Sequence, residues 1–285
     1  MSRALHLTVG AALAAPLLWA AAWAAEEAPP PAAPVPTLAA AEVVSRFKAP
    51  EANQGVGADA TALYVIDNSL IAKYDKASGK RLAEWRPDRR QVPHLNACKV
   101  LERRLVCSNS NYPHVPQSSS VEILDPATMK PVASVALGPG NGSLTWIDRH
   151  DGFWWAGFAN YDGRGGEPGR GSAYTTLVKY DDQWRRLEAW LFPDELVDRF
   201  KPYSSSGGGW GEDGLLYVSG HDRPELYAMR LPKAGSVLEH VATIPIPVGG
   251  QAIAWDPSRP RVLYGISREG KEVVAMRIPP VTVGR

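Results

Sequence analysis

The sequence predicts an all-β fold, a five-bladed β-propeller closed by a strand from the N-terminal part of the chain. A pattern of four short strands occurs five times, and one further strand pattern stands ahead of the first copy. The first copy runs from Gln54 to Trp85, where apolar and β-branched runs alternate with turn-forming residues. One four-stranded sheet cannot bury both of its faces, so it needs further copies to cover them.

The repeat is clearest in the third strand of each unit. The motif centred on Tyr74 recurs at intervals of 50, 56, 49 and 47 residues, which are typical of propeller blades. Its counterparts are centred on Leu124, Tyr180, Met229 and Met276. The first strand repeats too, because segment 54–59 (QGVGAD) matches segment 251–256 (QAIAWD).

The last unit has three clear strands and a weak fourth one. Segment 43–47 (VVSRF) resembles the fourth strands of other units, such as segment 81–85, so we expect it to complete the last blade and remove an exposed sheet edge. Six blades are the alternative if segment 193–206 contains strands. Its PDELVDRF motif instead indicates one or two helical turns.

The N-terminal region predicts export. Residues 1–24 have the features of a signal peptide, with Arg3, an apolar stretch and an Ala-Trp-Ala cleavage motif at 22–24. An uncleaved membrane anchor is the competing interpretation, since the apolar stretch approaches 20 residues. Residues 25–40 are a Pro/Ala-rich linker, and residues 41–285 form the propeller. We therefore expect a periplasmic or secreted monomer that is free of the membrane after cleavage.

The charge of the chain limits its partners. A formal net charge of +1 argues against nucleic acid, and no basic run favours a membrane surface. The expected partner is a small molecule, a glycan or a peptide.

The two cysteines, Cys98 and Cys107, lie on the first two strands of the second unit. A hairpin turning at Glu102-Arg103 places them directly opposite each other, as a non-hydrogen-bonded pair. Export permits a disulfide, which we predict, although two buried free thiols remain the alternative.

The long polar connections all belong to one face of the predicted ring. In a propeller the loops from strand 2 to strand 3 share a face with the segments that join blades. Here these connections carry the insertions, including segments 109–119 and 160–173, whereas the hairpins of the other face are short. Functional residues tend to lie on loops held by a rigid frame, so this face is the candidate site.

Polar residues converge on this face where first strands begin and second strands end. We predict His94 and His221 as acid and base, Asp222 as the residue that orients His221, and Arg268 as the holder of a carboxylate. The predicted ligand-binding set is Gln54, Asp67, Asn96, Asn109, Asn111, Tyr112, Asn160, Tyr161, Asp222, Gln251 and Arg268. Asp67, Asp222 and Asn160 have an alternative role, which is to hydrogen-bond the loop backbone. No spacing singles out a metal site, so the cofactor is unknown, and calcium or zinc in the channel is left open.

Several motifs resemble a bacterial family of exported propeller proteins that are often labelled cycloisomerase or left uncharacterised. They include YVIDNSLIAKYDKASGKR, SNYPHVPQSSSVEI, WGEDGLLYVSGHDRPELYAMRLPKAGS and GGQAIAWD. The resemblance extends over nearly the whole chain from about residue 47 and implies a propeller fold and export. It brings no established catalytic residues.

Two functions follow from these observations. The first is an enzyme that acts by proton transfer on a small polar or carboxylated molecule, in an isomerase, cyclase-like or lactonase-like reaction. The second is a non-catalytic propeller that binds a glycan, a peptide or a protein on the same face, because a fold does not determine a function.

Overall fold

A computed structural model describes residues 34–282. The predicted signal peptide and residues 25–33 of the predicted linker lie outside the described residues. Within this part of the chain, five antiparallel four-stranded sheets form a ring, as the sequence predicts. We number these sheets blade 1 to blade 5 in chain order. No helix among residues 34–282 has the length and apolar character to cross a membrane.

The N-terminal strand β1 (Glu42–Lys48) belongs to blade 5. Blade 1 consists of β2 (Gly55–Ala58), β3 (Ala62–Asp67), β4 (Leu70–Asp75) and β5 (Arg81–Trp85). Blade 2 consists of β6 (His94–Leu101), β7 (Arg104–Ser110), β8 (Ser118–Asp125) and β9 (Lys130–Pro139). Blade 3 consists of β10 (Ser143–His150), β11 (Phe153–Ala159), β12 (Thr176–Tyr180) and β13 (Arg186–Leu191).

Blade 4 consists of β14 (Gly207–Trp210), β15 (Leu216–Ser219), β16 (Glu225–Arg230) and β17 (Glu239–Pro245). Blade 5 consists of β18 (Ala254–Trp255), β19 (Val262–Ser267) and β20 (Glu272–Arg277), together with β1. A 3-10 turn (Ser172–Tyr174) and one helix, α1 (Asp194–Phe200), lie in connections. The helix occupies the insertion after blade 3, so that segment contributes no sixth blade.

Ring closure follows the prediction. Strand β1 pairs antiparallel with β20, where Phe47 lies opposite Val273. The chain just before β1 also hydrogen-bonds to blade 4, because the Leu38 N–H donates to the Thr243 carbonyl at 2.8 Å and the Thr243 N–H donates to the Pro36 carbonyl at 3.0 Å. The end of the predicted linker therefore pairs with the outer strand of blade 4 before the chain enters blade 5.

The core is divided into five apolar layers, one between each pair of neighbouring blades. Inner strands are covered on both faces, which is why β3 is buried almost throughout. Trp146 of β10 is fully buried, and its indole lies so close to Gly208 of β14 that a Cβ there would come within 2.4 Å of Cε2. Glycine on β14 therefore lets blade 4 approach the tryptophan of blade 3.

The structure also contains the predicted disulfide between Cys98 and Cys107. These residues lie directly opposite each other on β6 and β7. The turn between the strands has positive φ at Glu102 (48°) and Arg103 (63°), as a two-residue type I′ hairpin requires.

Candidate functional site

A cavity of about 240 Å³ opens on the face that carries the long connections. We call it the mouth cavity. Every blade contributes to it, since the first strands begin there and the second strands end there. It is lined by Gln54, Asn68, His94, Asn96, Tyr112, Thr145, Tyr161, Arg164, Tyr203, Ser206, His221 and Arg268.

Two much larger grooves, of about 430 and 380 Å³, lie elsewhere on the molecule, and a groove near Tyr174 and Trp190 has about the same volume as the mouth cavity, 250 Å³. The first is lined mainly by proline, alanine and aliphatic residues. In the second, Lys76 and Arg259 both bind the buried carboxylate of Asp256, at 2.6 and 2.7 Å. The two cationic side chains of that groove are thus already paired with a carboxylate. The mouth cavity is smaller but has unpaired hydrogen-bonding groups, which a ligand site requires.

His221 lies just after β15, and neighbours hold its ring on three sides. Its Nδ1 is 2.5 Å from Oδ1 of Asp222, and its ring stacks on Tyr203 with 3.8 Å between centroids. Its Nε2 is 3.3 Å from Nη1 of Arg268. With Nδ1–H donating to Asp222, the bare Nε2 accepts from Arg268. The ring is therefore positioned as a base whose lone pair faces the guanidinium.

The charge state of His221 results from opposing neighbours. Burial lowers its pKa, and the positive charge of Arg268 lowers it further, whereas the hydrogen bond and charge of Asp222 raise it. The net effect is that the pKa of His221 lies below its ordinary value. His221 is accordingly neutral at pH 7, as a general base must be.

His94 begins β6 and lies on the blade 2 side of the cavity. Burial lowers its pKa to about 4, and the nearby His221 acts in the same direction, while Asn96 and Asp67 oppose the shift. Its ring centroid is 5.4 Å from that of Tyr112. His94 is thus neutral at pH 7 and can donate or accept a hydrogen bond, but it is a poor reservoir of positive charge.

Three tyrosines supply ring surface and hydroxyl groups. Tyr112 and Tyr161 have ring centroids 5.0 Å apart, and Tyr203 stacks on His221. Burial raises the pKa of both Tyr112 and Tyr161, so both keep their hydroxyl proton as a donor.

The structure brings seven predicted site residues into the lining, including both histidines and Arg268. The other four are Gln54, Asn96, Tyr112 and Tyr161. Asp222 is not part of the lining but hydrogen-bonds His221. Asp222 is exposed and reaches the cavity only through that bond.

Five further predicted residues hydrogen-bond other parts of the protein outside the cavity lining. Asp67 accepts from Asn53 Nδ2 at 2.8 Å, and Asn109 donates to Ser120 Oγ at 2.9 Å. Asn111 and Asn160 bind loop carbonyls, and buried Gln251 donates to the carbonyl of His221 at 3.1 Å. Asn160 thus bonds loop backbone, and Asp67 also accepts from the backbone N–H of Asn68 at 2.7 Å, as Asx residues do in turns. Gln251 supports the site indirectly, because it holds the backbone of His221.

Sequence reasoning assigned no role to Asn68, Arg164 or Tyr203. Arg164 belongs to segment 160–173, which is rich in Gly and Arg and which the sequence places on this face, so charge within that segment was the signal available for it. Tyr203 follows α1, whose buried residues Leu196, Val197 and Phe200 fix the helix against blade 4. No periodicity extends into that connection, so nothing in the sequence indicates where Tyr203 lies.

Among residues 34–282, no three His, Cys, Asp or Glu side chains come together as a metal site would require. The groups that line the mouth cavity are amides, hydroxyls, two histidines and two arginines. This set suits a polar ligand with hydrogen-bond acceptors.

No protein-family model and no curated protein matches the chain. Solved structures that are similar to it in fold include two enzymes. A luciferin-regenerating enzyme has 15% sequence identity and a TM-score of 0.50, with 84% of this chain and 97% of that chain covered. The PQQ-bound aldose sugar dehydrogenase of Streptomyces coelicolor has 14% identity and a TM-score of 0.51, with 88% and 85% covered. At such identities the likeness extends to the propeller fold alone.

Proposed function

We propose that the chain binds a small polar molecule with a carboxylate in the mouth cavity and acts on it by proton transfer, in a lactonase-like or cyclase-like reaction. The observation that carries the proposal is the placement of His221 between Asp222 and Arg268, in one cavity with His94. The two enzymes similar in fold contribute no residue roles to this proposal. The roles come from the geometry of the mouth cavity.

Arg268 is the proposed anchor for the carboxylate. It is exposed, and within the described chain its one side-chain partner is the neutral ring of His221. A guanidinium binds a carboxylate far better than an imidazole nitrogen, because the charged hydrogen bonds are stronger and can form in pairs. An arriving carboxylate therefore takes Arg268 away from Nε2 and leaves that nitrogen free.

In the lactonase direction, freed Nε2 takes a proton from water while the water oxygen forms a bond to the lactone carbonyl carbon. The ring C–O bond then breaks, and the ring oxygen receives the proton from His221. One lactone and one water give one hydroxy acid. Asp222 stabilises the imidazolium that exists between the two steps.

The test uses a panel of sugar-acid lactones, with acid release followed at constant pH. We expect His221→Ala to lower turnover of an accepted lactone by at least about 100-fold, the usual contribution of a general base. His114→Ala is the matched control, since His114 is exposed on the same face outside the cavity lining, and it should leave turnover unchanged. Full turnover in both His94→Ala and His221→Ala would eliminate the mechanism.

The second candidate is a non-catalytic binder of a glycan or peptide. The observation that favours it is the aromatic surface of Tyr112, Tyr161 and Tyr203 at the mouth. A ligand that raises the melting temperature but undergoes no conversion supports this candidate, particularly if Tyr112→Ala abolishes the shift and His221→Ala preserves it.

We also propose that the protein works in an oxidising compartment, the periplasm or the extracellular space. The Cys98–Cys107 disulfide supports this location, because such bonds persist where thiols are not kept reduced. Fractionation of cells that express the full chain tests it, and recovery of the protein only in the cytosolic fraction would contradict it.

A further inference from the structure

The mouth cavity contains a second guanidinium that the proposed reaction does not use. Arg164 lies in the connection between β11 and β12, whereas Arg268 follows β19 on blade 5. Among residues 34–282, neither side chain forms an ion pair with a carboxylate. Arginines elsewhere in this range are often paired, as Arg199 is with Glu225 and Arg259 with Asp256.

Hydrogen bonds on both sides of Arg164 fix the loop that carries it. On one side of the arginine, Asp162 accepts hydrogen bonds from Ser172 N at 2.8 Å and from Ser172 Oγ at 2.7 Å. On the other side, Gln117, which is 1% exposed, donates its side-chain amide to the Gly165 carbonyl at 2.8 Å. The β7–β8 connection of blade 2 thus holds the blade 3 loop at the residue next to Arg164.

Gly165 explains how the loop comes so close to the cavity. Its φ is +83°, and a Cβ at this position would lie 2.5 Å from Cε2 of Tyr112. Only glycine accepts this backbone conformation and this contact without strain. The loop therefore packs against Tyr112, and Arg164 lies next to a residue of the cavity wall.

The cavity consequently has two cationic groups, which come from different blades. Arg268 of blade 5 lies beside His221. Arg164 belongs to the blade 3 loop that packs against Tyr112. The remaining lining includes His94 and the amides of Gln54 and Asn96, which carry no charge at pH 7. No Asp or Glu side chain lines the cavity.

From this arrangement we infer that the ligand of the mouth cavity carries two acidic groups, one for Arg268 and one for Arg164. The inference rests on the proposed function, in which Arg268 holds the first carboxylate. A single carboxylate leaves one exposed guanidinium without an anion, whereas a diacid satisfies both. Each pair of a guanidinium and an acidic group favours the diacid over a ligand that has a neutral hydroxyl in the same place, because charge-assisted hydrogen bonds are stronger.

The test compares unbranched diacids, from malonate to adipate, with monoacids of the same chain lengths. Dissociation constants are measured by calorimetry at one ionic strength, because salt screens exposed charges. We expect at least one diacid to bind about tenfold or more tightly than its matched monoacid, since a hydrogen bond to a charged group is worth about that much. Arg164→Ala should bring that diacid to the level of the monoacid, and Arg164→Lys should restore part of the difference.

The control is Arg277→Ala, because Arg277 is exposed at the end of β20 remote from the mouth. It should change neither affinity. Equal binding of diacids and monoacids, with both lost in Arg268→Ala, would overturn the inference and leave the proposed function standing. Absence of saturable binding by either class, or binding that survives Arg268→Ala, would overturn both.

Discussion

At the residue scale, the chemistry of the mouth depends on His221 and its two polar neighbours. Asp222 holds Nδ1 and favours the protonated ring, while Arg268 faces Nε2 and favours the neutral ring. The two effects oppose each other, and burial decides the net direction. Removing either neighbour should therefore shift the pKa of His221 in a known direction.

That shift is measurable without a substrate, by NMR titration of the histidine Cε1 protons. Arg268→Ala should raise the pKa of His221, because a positive charge is removed. Asp222→Asn should lower it, because the hydrogen-bonded carboxylate is lost. His114→Ala identifies one exposed signal and should leave the other resonances in place. Shifts of the opposite sign would show that the ring does not lie between these two groups.

The lowered pKa of His94 makes the stability of the protein depend on pH. Its pKa falls from 6.5 to about 4 on folding. As the pH drops from 6.5 towards 4, the unfolded chain binds a proton at His94 and the folded chain does not. The contribution of His94 to the free energy of unfolding is thus complete above pH 6.5. It is lost as the pH falls through this window, and the loss amounts to up to about 3 kcal/mol.

Urea unfolding at pH 7 and at pH 4.5 measures this loss. The lowered pKa of His221 contributes with the same sign in both proteins. His94→Gln removes the contribution of His94, so wild type should lose more stability than the variant. Equal losses in the two proteins would contradict the shifted pKa of His94.

At the scale of elements, the blades are spaced by contacts between inner strands. The Trp146 indole lies against Gly157 of its own sheet and Gly208 of the next, and its Nε1 donates to Ser205 Oγ at 3.1 Å. Both glycines lie in strands, where glycine is normally unfavourable. Glycine is required at both positions because the indole of Trp146 fills the space that a side chain would occupy.

Gly208→Ala should therefore destabilise the protein by about 1 to 3 kcal/mol, the usual effect of overpacking a core. The measurement is the midpoint of urea unfolding. Gly163→Ala is the matched control, since a Cβ there meets no atom within 4 Å. If Gly208→Ala were as stable as Gly163→Ala, the indole would not lie where the structure places it.

At the scale of the whole molecule, the ring is what the sequence predicts best. Blade number, strand order, the closing strand and the cysteine pair all follow from a repeat of fixed length and from alternation within strands. The same regularity places His94, His221 and Arg268 on one face. These features depend on the register of strands, and a single sequence records that register.

The details of the cavity lining depend on loop conformation, which has no period. Asp67 and Asn68 are neighbours, yet Asn68 lines the cavity while Asp67 binds Asn53. Arg164 and Tyr203 come from connections whose paths are determined by Gln117 and by α1. The pairing of residues 36–38 with β17 likewise depends on a neighbouring blade. Such tertiary contacts leave no local pattern in the sequence.

The proposed reaction requires that five blades bring His221, Arg268 and His94 to a single cavity that accepts a carboxylate. A crystal structure of the protein soaked with glutarate at saturating concentration tests this most directly. We predict one glutarate carboxylate within hydrogen-bond distance of the Arg268 guanidinium, beside Nε2 of His221. An empty mouth cavity under these conditions, or the two histidines at opposite poles of the ring, would contradict it.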